Sequence, residues 1–360
     1  AVLEDGRARS AQAVQSTSTQ VQASVRPAKV EQRQQDGGEH KPRKPYYQNN
    51  RRREYEQTSG DPDLYFDLHT VHYDVNWHTT DLPYQWHLRA GIGGMYQYSR
   101  NLGDEYLLPA YDLIDVGVYA ATEKHLGRFH LAAGIRYDYR FLYAHRLIED
   151  GQARFEAFDR HFHGISGSIG AICHIIRDMD LKLNVSRGYR APNISELASN
   201  GIHEGTQHYE IGSHNLKTES NTQIDLSWQW NNRYVRTTID LFWNDIYHFT
   251  YLERDALLSG TQAYGDAQVY RFIQGHARLF GCEIDIDIHP YKHLHWDNGL
   301  AYVRGMFVDN PNSTDLPLIP APKIRSELSY DFDLSRTSVG KALRNIFLSV
   351  NGEYYFRQDH

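Results

Sequence analysis

From Tyr46 to the C-terminus, apolar and polar residues alternate with a period of two, over stretches longer than most strands of soluble proteins. Trp86, Leu88, Ala90, Ile92, Gly94, Tyr96 and Tyr98 share one parity, against His87, Arg89, Gly91, Gly93, Met95, Gln97 and Ser99 on the other. Successive side chains of a strand point to opposite faces, so such a segment carries one apolar and one polar or small face. The alternation from Phe129 to Tyr143 holds for 15 residues. A globular strand averages about 5–6 residues, and about 9–11 cross a bilayer at barrel tilt. Further alternating segments start near Ile165, Ile224, Val235, Cys282, Ile324 and Ile346.

No run of 18 or more apolar residues interrupts this pattern, so a helical membrane protein is excluded, whereas a β-barrel, whose strands average out as polar, is not. The 26 Tyr, 14 Phe and 6 Trp suit strands or membrane interfaces, where one end of a ring is dry and the other wet. A formal charge of −7 argues against nucleic acid as a partner, which needs a positive field over one face. Cys173 and Cys282 form no CxxC and no disulfide framework. The first residues, AVLEDGRARS, lack the apolar stretch of a signal peptide, which is expected of a cytosolic protein or of a mature or partial product.

Residues 1–45 are rich in Gln, Ser, Lys, Arg and Asp without sustained periodicity, and are expected to be a polar loop or disordered arm. Residues 46–360 are expected to form one all-β domain, a transmembrane antiparallel β-barrel of which about 12–13 strands are visible. Connections alternate in length: short turns at 122–127, 176–180, 231–233 and 289–293 separate long polar segments at 99–110, 144–161, 187–221, 251–268 and 305–321. Outer-membrane barrels have this asymmetry, with short periplasmic turns and long extracellular loops. A soluble sandwich accounts for short alternation equally well but gives no reason for every long loop to lie at one end. The last segment, Tyr354 to His360, has no turn back, which predicts an unclosed sheet and a truncated chain.

The most specific stretch is 185–221, VSRGYRAPNISELASNGIHEGTQHYEIGSHNLKTESN. Pro192 lacks an N–H and so ends strand pairing after Ala191. Glu196 follows in a loop where its carboxylate can accept from the backbone or from Arg187 or Arg190. Gly201, Gly205 and Gly212 allow tight excursions of the backbone over a barrel mouth. Arg190, Pro192 and Glu196 are expected to fix loop geometry. The order Arg-Gly-Tyr-Arg-Ala-Pro, Ser-Glu-Leu and Tyr-Glu-Ile-Gly-Ser-x-Asn-Leu-Lys-x-Glu resembles the signature region of TonB-dependent outer-membrane receptors. The resemblance extends over roughly residues 46–360, though only this region is specific.

That resemblance implies a Gram-negative outer-membrane location and active import, with energy drawn from the TonB complex on the periplasmic side. It also implies a barrel of roughly 22 strands plugged by an N-terminal domain. The chain departs from that pattern: no plug is recognisable in residues 1–45, so plug and TonB-box residues are not assigned, about nine strands' worth of barrel is missing, and such a chain is not expected to transport by itself.

Histidine bears most on cargo, with 20 residues. Imidazole with neighbouring carboxylates suits zinc. Within the family the chain is most similar to zinc-uptake receptors, in which a Gly-x-His after the Ser-Glu-Leu motif lies near the metal; here that is Gly201-Ile202-His203. His203, His208 and Glu105 are the candidate metal ligands, His203 and His208 needing a turn at Gly205 to act together, and His214 lies in the same loop region. His161 and His163 share one strand face, a spacing metals use and lumen residues also show. His289, His293 and His295, beside Tyr291 and Trp296, read as interface anchors. Tyr209, Tyr251, Tyr264 and Phe272 would instead serve a ferric siderophore or haem, with His203 as an axial ligand for haem. A passive porin or adhesive surface barrel is the remaining alternative. No GxSxG, HExxH, Walker or CxxC motif supports an enzyme. No resident cofactor is expected; the partners are the TonB complex, a metal ion or chelate as cargo, and outer-membrane lipid around a monomer.

Overall fold

The computed structural model describes the backbone of 13–21 and residues 45–55, 62, 64–82, 86–103, 106–203, 208–261, 264, 267–310, 315–332 and 346–358. The strands are β1 Ala13–Val21, β2 Tyr46–Tyr55, β3 Leu64–Leu82, β4 Trp86–Asn101, β5 Tyr111–Leu126, β6 Phe129–Ala144, β7 Leu147–Glu149, β8 Gln152–Phe155, β9 Phe158–Ile176, β10 Met179–Arg190, β11 Asn200–His203, β12 His208–Ile211, β13 Glu219–Asn231, β14 Val235–Arg254, β15 Gln268–Tyr291, β16 Leu294–Phe307, β17 Lys323–Phe332 and β18 Ile346–Tyr355. One short helix, α1, spans Ile194–Ala198.

Fourteen of these strands form a single path, β1-β2-β3-β4-β5-β6-β9-β10-β13-β14-β15-β16-β17-β18, each antiparallel to the next. Thirteen of them start at or after Tyr46, where alternation is readable. β1 lies within the arm expected to be polar and pairs with β2 through Ala13↔Tyr55 to Val21↔Tyr47. Its QSTSTQ centre carries no apolar parity to read, although Thr and Val favour extended backbone. Residues 1–12 and 22–44 lie outside the described residues.

The alternation sorts side chains between two environments. Val75, Ile92, Val118, Tyr137 and Ile165 stand in one cross-strand row. All five are exposed, and Ile169 on the same face is 71 % exposed. Such a row is costly in water and favourable against lipid. The opposite parity holds paired polar groups: Arg140 donates two bonds of 2.7 Å to Asp115, and Arg136 contacts both oxygens of Asp138 at 2.8 Å. Aromatic residues bracket the apolar band, with Trp77, Trp86, Phe129 and Trp296 toward the short turns and Tyr96, Tyr143 and Tyr247 toward the long loops.

The tight connections lie at one end, between β5 and β6, β9 and β10, β13 and β14, and β15 and β16. Gly127 takes φ 59° in the first of them, a conformation that glycine adopts without steric cost. At the other end the inner wall becomes apolar. Leu113, Leu142, Ala144 and Phe162 are buried there against Ile194, Leu197, Ala198 and Leu216, so α1 and its flanks fold inward over the wall. A second small core of Ala277, Phe307 and Leu316 closes the same end beside β15 and β16.

Ile169→Arg, on the outward face, is expected to destabilise the folded chain in bilayers by about 2–4 kcal/mol, whereas Ser227→Arg, on the inward parity, is expected to stay within about 1 kcal/mol. Reversible urea unfolding in liposomes measures both.

Candidate functional site

The site at the long-loop end begins where β10 leaves the sheet. Arg190 pairs with Glu219 of β13, and Pro192 then takes the chain out of the ladder. Asn193 caps α1: its side-chain oxygen accepts from the Glu196 N–H at 2.9 Å, and Glu196 Oε2 accepts from the Asn193 N–H at 2.9 Å, a reciprocal capping box. Glu196 also receives Arg190 Nη1 on both oxygens, at 2.8 and 2.9 Å, while Arg190 Nη2 reaches Glu219 Oε2 at 2.9 Å. Glu219 Oε2 in turn accepts from the Thr250 N–H on β14 at 3.1 Å. One guanidinium thus ties the strand exit, the helix and the wall together.

After α1 the chain makes the hairpin β11–β12, with His203 opposite His208 and Gly201 opposite Glu210. It is held on both sides. Asn200 donates its N–H to Leu107 O at 3.1 Å and its side-chain amide to Arg154 O at 3.2 Å, and Arg154 Nη2 returns a bond of 2.5 Å to Asn200 O. On the far side β12 runs parallel to β15, from His208↔Gln268 to Ile211↔Arg271. Gly201 and Gly212 take no positive φ; they are small because neighbours crowd them. A Cβ on Gly212 would sit 2.4 Å from the Ala198 N, and one on Gly201 3.1 Å from Tyr106 O. Their role is therefore close approach of backbone, not the tight excursion expected from sequence. Gly205 lies outside the described residues.

Directly opposed residues of an antiparallel pair share a face, so His203, His208 and Glu210 lie on one side of the hairpin. His203 Nδ1 is 3.8 Å from Glu210 Oε1. The His208 ring stacks on Tyr270 with centroids 4.4 Å apart. Glu105 lies outside the described residues. Among the described residues, no three His, Cys, Asp or Glu side chains are grouped so as to hold a metal ion. On the other face, Tyr209 donates to Asn200 Oδ1 at 2.9 Å and meets Tyr264 edge-on at 4.8 Å. Burial pushes the Tyr209 phenol above its ordinary value, and the Arg154 charge pulls it partly back. The Phe158 ring covers one face of His214, with centroids 4.0 Å apart. That desolvation, with the Arg160 charge, holds the imidazole below its ordinary value.

His161 and His163 face outward, not into the lumen. Their Nδ1 atoms meet the hydroxyls of Tyr139 and Tyr137 at 2.8 and 2.7 Å, in the aromatic belt. Glu219 and Glu210 were missed by sequence reasoning. Glu219 meets Arg190 from 29 residues along the chain, whereas Glu210 meets His203 only within the hairpin that the structure reveals; both lie in the YEIGSxNLKxE motif.

The chain matches, over residues 7–359, the family described as TonB dependent receptor-like, beta-barrel. It belongs to the TonB-dependent receptor family. Its sheet is therefore part of a transmembrane antiparallel β-barrel of the Gram-negative outer membrane, in a family of receptors. Among solved structures it is similar to copper transporter OprC, with a TM-score of 0.64 and 17 % identity over 80 % of this chain and 46 % of that one. It is similar too to the FrpB iron transporter from Neisseria meningitidis (F5-1 variant), with a TM-score of 0.61 and 15 % identity over 86 % of this chain and 48 % of that one. A third is the Serratia marcescens hemophore receptor HasR, solved as a double mutant with its hemophore HasA and heme: TM-score 0.58 and 15 % identity, covering 81 % of this chain and 53 % of that one. The chain thus spans about half the length of these structures. At such identities the likeness concerns fold. Comparison with curated protein sequences gives no match.

Glu196→Ala removes the acceptor of the Arg190 fork and of the Asn193 N–H. It is expected to lower local stability of α1 and the hairpin by about 1–3 kcal/mol while leaving the barrel intact. Hydrogen exchange of the amides of 194–203 against those of β9 measures the difference.

Proposed function

We propose that this chain forms barrel wall and mouth of a TonB-dependent receptor that takes up a scarce metal, as free ion or chelate, with zinc favoured and the TonB complex supplying energy from the periplasm. The observation that carries the reading is the β11–β12 hairpin, tied to both sides of the mouth and presenting His203, His208 and Glu210 on one face. Two imidazoles and a carboxylate are the donor types zinc prefers. Glu105 is the further ligand suggested by the sequence. The related structures are named for copper, iron and heme-hemophore cargo, which supports metal uptake in general and does not favour zinc over the others.

A second reading is uptake of a ferric siderophore or haem. It is favoured by the aromatic surfaces of the hairpin, where Tyr209 meets Tyr264 and His208 stacks on Tyr270. Such rings suit a flat or catecholate ligand by stacking.

Calorimetric titration of zinc, ferric citrate and haem into the full-length receptor in detergent tests the two. Zinc uptake is expected to give sub-micromolar binding that weakens at least tenfold, about 1.4 kcal/mol, in His203→Ala. Binding of haem or the ferric chelate with no response to zinc contradicts the zinc reading and favours the second.

A further inference from the structure

The opposite, short-turn end of the wall carries a second cluster, built on His289 of β15 and His295 of β16. Sequence reasoning placed these histidines with Tyr291 and Trp296 as interface anchors. Parity divides them. Trp296 pairs with Leu328, and both are exposed on the outward face. His295 lies on the opposite parity, with Asp297, and His289 on the same side as Asp287, whose cross-strand partner is Asp297. The two imidazoles therefore face the lumen.

Their hydrogen bonding is unusual. His289 Nε2 lies 2.8 Å from Asp287 Oδ2, and His295 Nε2 lies 3.1 Å from Asp331 Oδ2. An ionised carboxylate only accepts, so His295 Nε2 donates to Asp331 and its Nδ1 is a bare lone pair in the neutral ring, while the contact with Asp287 favours the same tautomer in His289. The two Nδ1 atoms face each other at 2.7 Å, with the rings at 81°. Two lone pairs do not hold that separation with nothing between them; a proton or a metal cation between them removes the repulsion. A carboxylate on the far nitrogen is also how metal-ligating histidines are oriented and made more basic.

The surroundings select for positive charge. Asp287, Asp297 and Glu327 stand side by side across three strands, and Asp331 adds a fourth carboxylate. Asp287 Oδ1 is sealed from solvent. Arg325 is engaged by Asp285 at 3.0 Å, and Arg236 of β14 stands across from Asp287 in the register, so carboxylates still outnumber guanidiniums on this stretch of wall. Each imidazole keeps about a third of its side chain accessible, 32 % for His289 and 30 % for His295, so an ion in the lumen can reach them.

We propose that His289 and His295 form a second, two-nitrogen site for an imidazole-preferring divalent cation such as zinc, at the periplasmic end of the lumen. Metal–nitrogen bonds of about 2.0–2.1 Å in tetrahedral geometry put the nitrogens roughly 3.3 Å apart, so the pair, 2.7 Å apart here, opens by about 0.6 Å on loading. Asp287 and Asp331 are positioning residues. With two protein ligands, the remaining coordination positions go to water, which makes an open site suited to taking and releasing an ion. The proposal does not depend on which cargo the mouth selects.

The test uses the full-length receptor carrying His203→Ala and His208→Ala, which silences the hairpin and separates this site from the mouth. Calorimetry with zinc chloride alone is expected to show one equivalent bound, weakened at least tenfold by His289→Ala or by His295→Ala, with heat-modifiable gel migration reporting the barrel. Zinc-edge anomalous diffraction from crystals with native histidines at this end requires no variant there, and a peak between the two Nδ1 atoms is expected. Zinc affinity unchanged after loss of both histidines overturns the proposal. So does zinc-soaked density with no peak there, the result if a shared proton alone joins the rings.

Discussion

The constraint on which everything else rests is the pairing of backbone N–H and C=O groups in a medium that offers them no partner. In lipid an unpaired peptide group costs several kcal/mol, so a spanning sheet must continue strand by strand. The path from β1 to β18 does so with antiparallel neighbours throughout. Once the ladder is fixed, the period of two decides the rest: one parity carries Ile135, Ile165 and Ile169 outward, and the other carries Asp115, Arg136 and Arg140 inward. The same rule that makes the wall insoluble in water makes its interior a polar lumen.

At the long-loop end the ladder stops and side chains take over its bonding. Arg190 does there what neighbouring strands do below, satisfying Glu196 and Glu219 at once, while Glu196 also closes the cap of α1. This lets the chain leave the sheet at Pro192, cross the mouth and rejoin the wall through the parallel pairing of β12 with β15. The two strands of the hairpin are thereby tied to the wall on both sides. A binding surface on rigid supports loses less conformational entropy when it engages a ligand than a free loop does.

Much of this was legible in the sequence, and the omissions have physical reasons. Apolar alternation gave about 12–13 strands after Tyr46, where the sheet path has thirteen, but the QSTSTQ centre of β1 leaves no such mark. Parity shows that two residues share a face and not which face it is, so His161 and His163 were open to a lumenal reading until their Tyr139 and Tyr137 partners fixed them outside. Glu219 meets Arg190 across 29 residues of chain, a distance over which no local pattern acts. Gly201 and Gly212 signal a special backbone position, yet only the packing shows that crowding by Tyr106 and Ala198 is the cause. The opposition of His289 and His295 follows from a register shift between Ile288 and Tyr291 that the sequence does not announce.

The central claim is that β9 is a membrane-crossing wall strand with odd residues in lipid and even residues in the lumen. Nitroxide scanning from Ile165 to Ala171 in liposomes tests it directly, using oxygen and a water-soluble nickel chelate as collision partners. The account predicts oxygen maxima at 165, 167, 169 and 171 and nickel maxima at 166, 168 and 170. Accessibility without a period of two, or nickel reaching both parities equally, would contradict it.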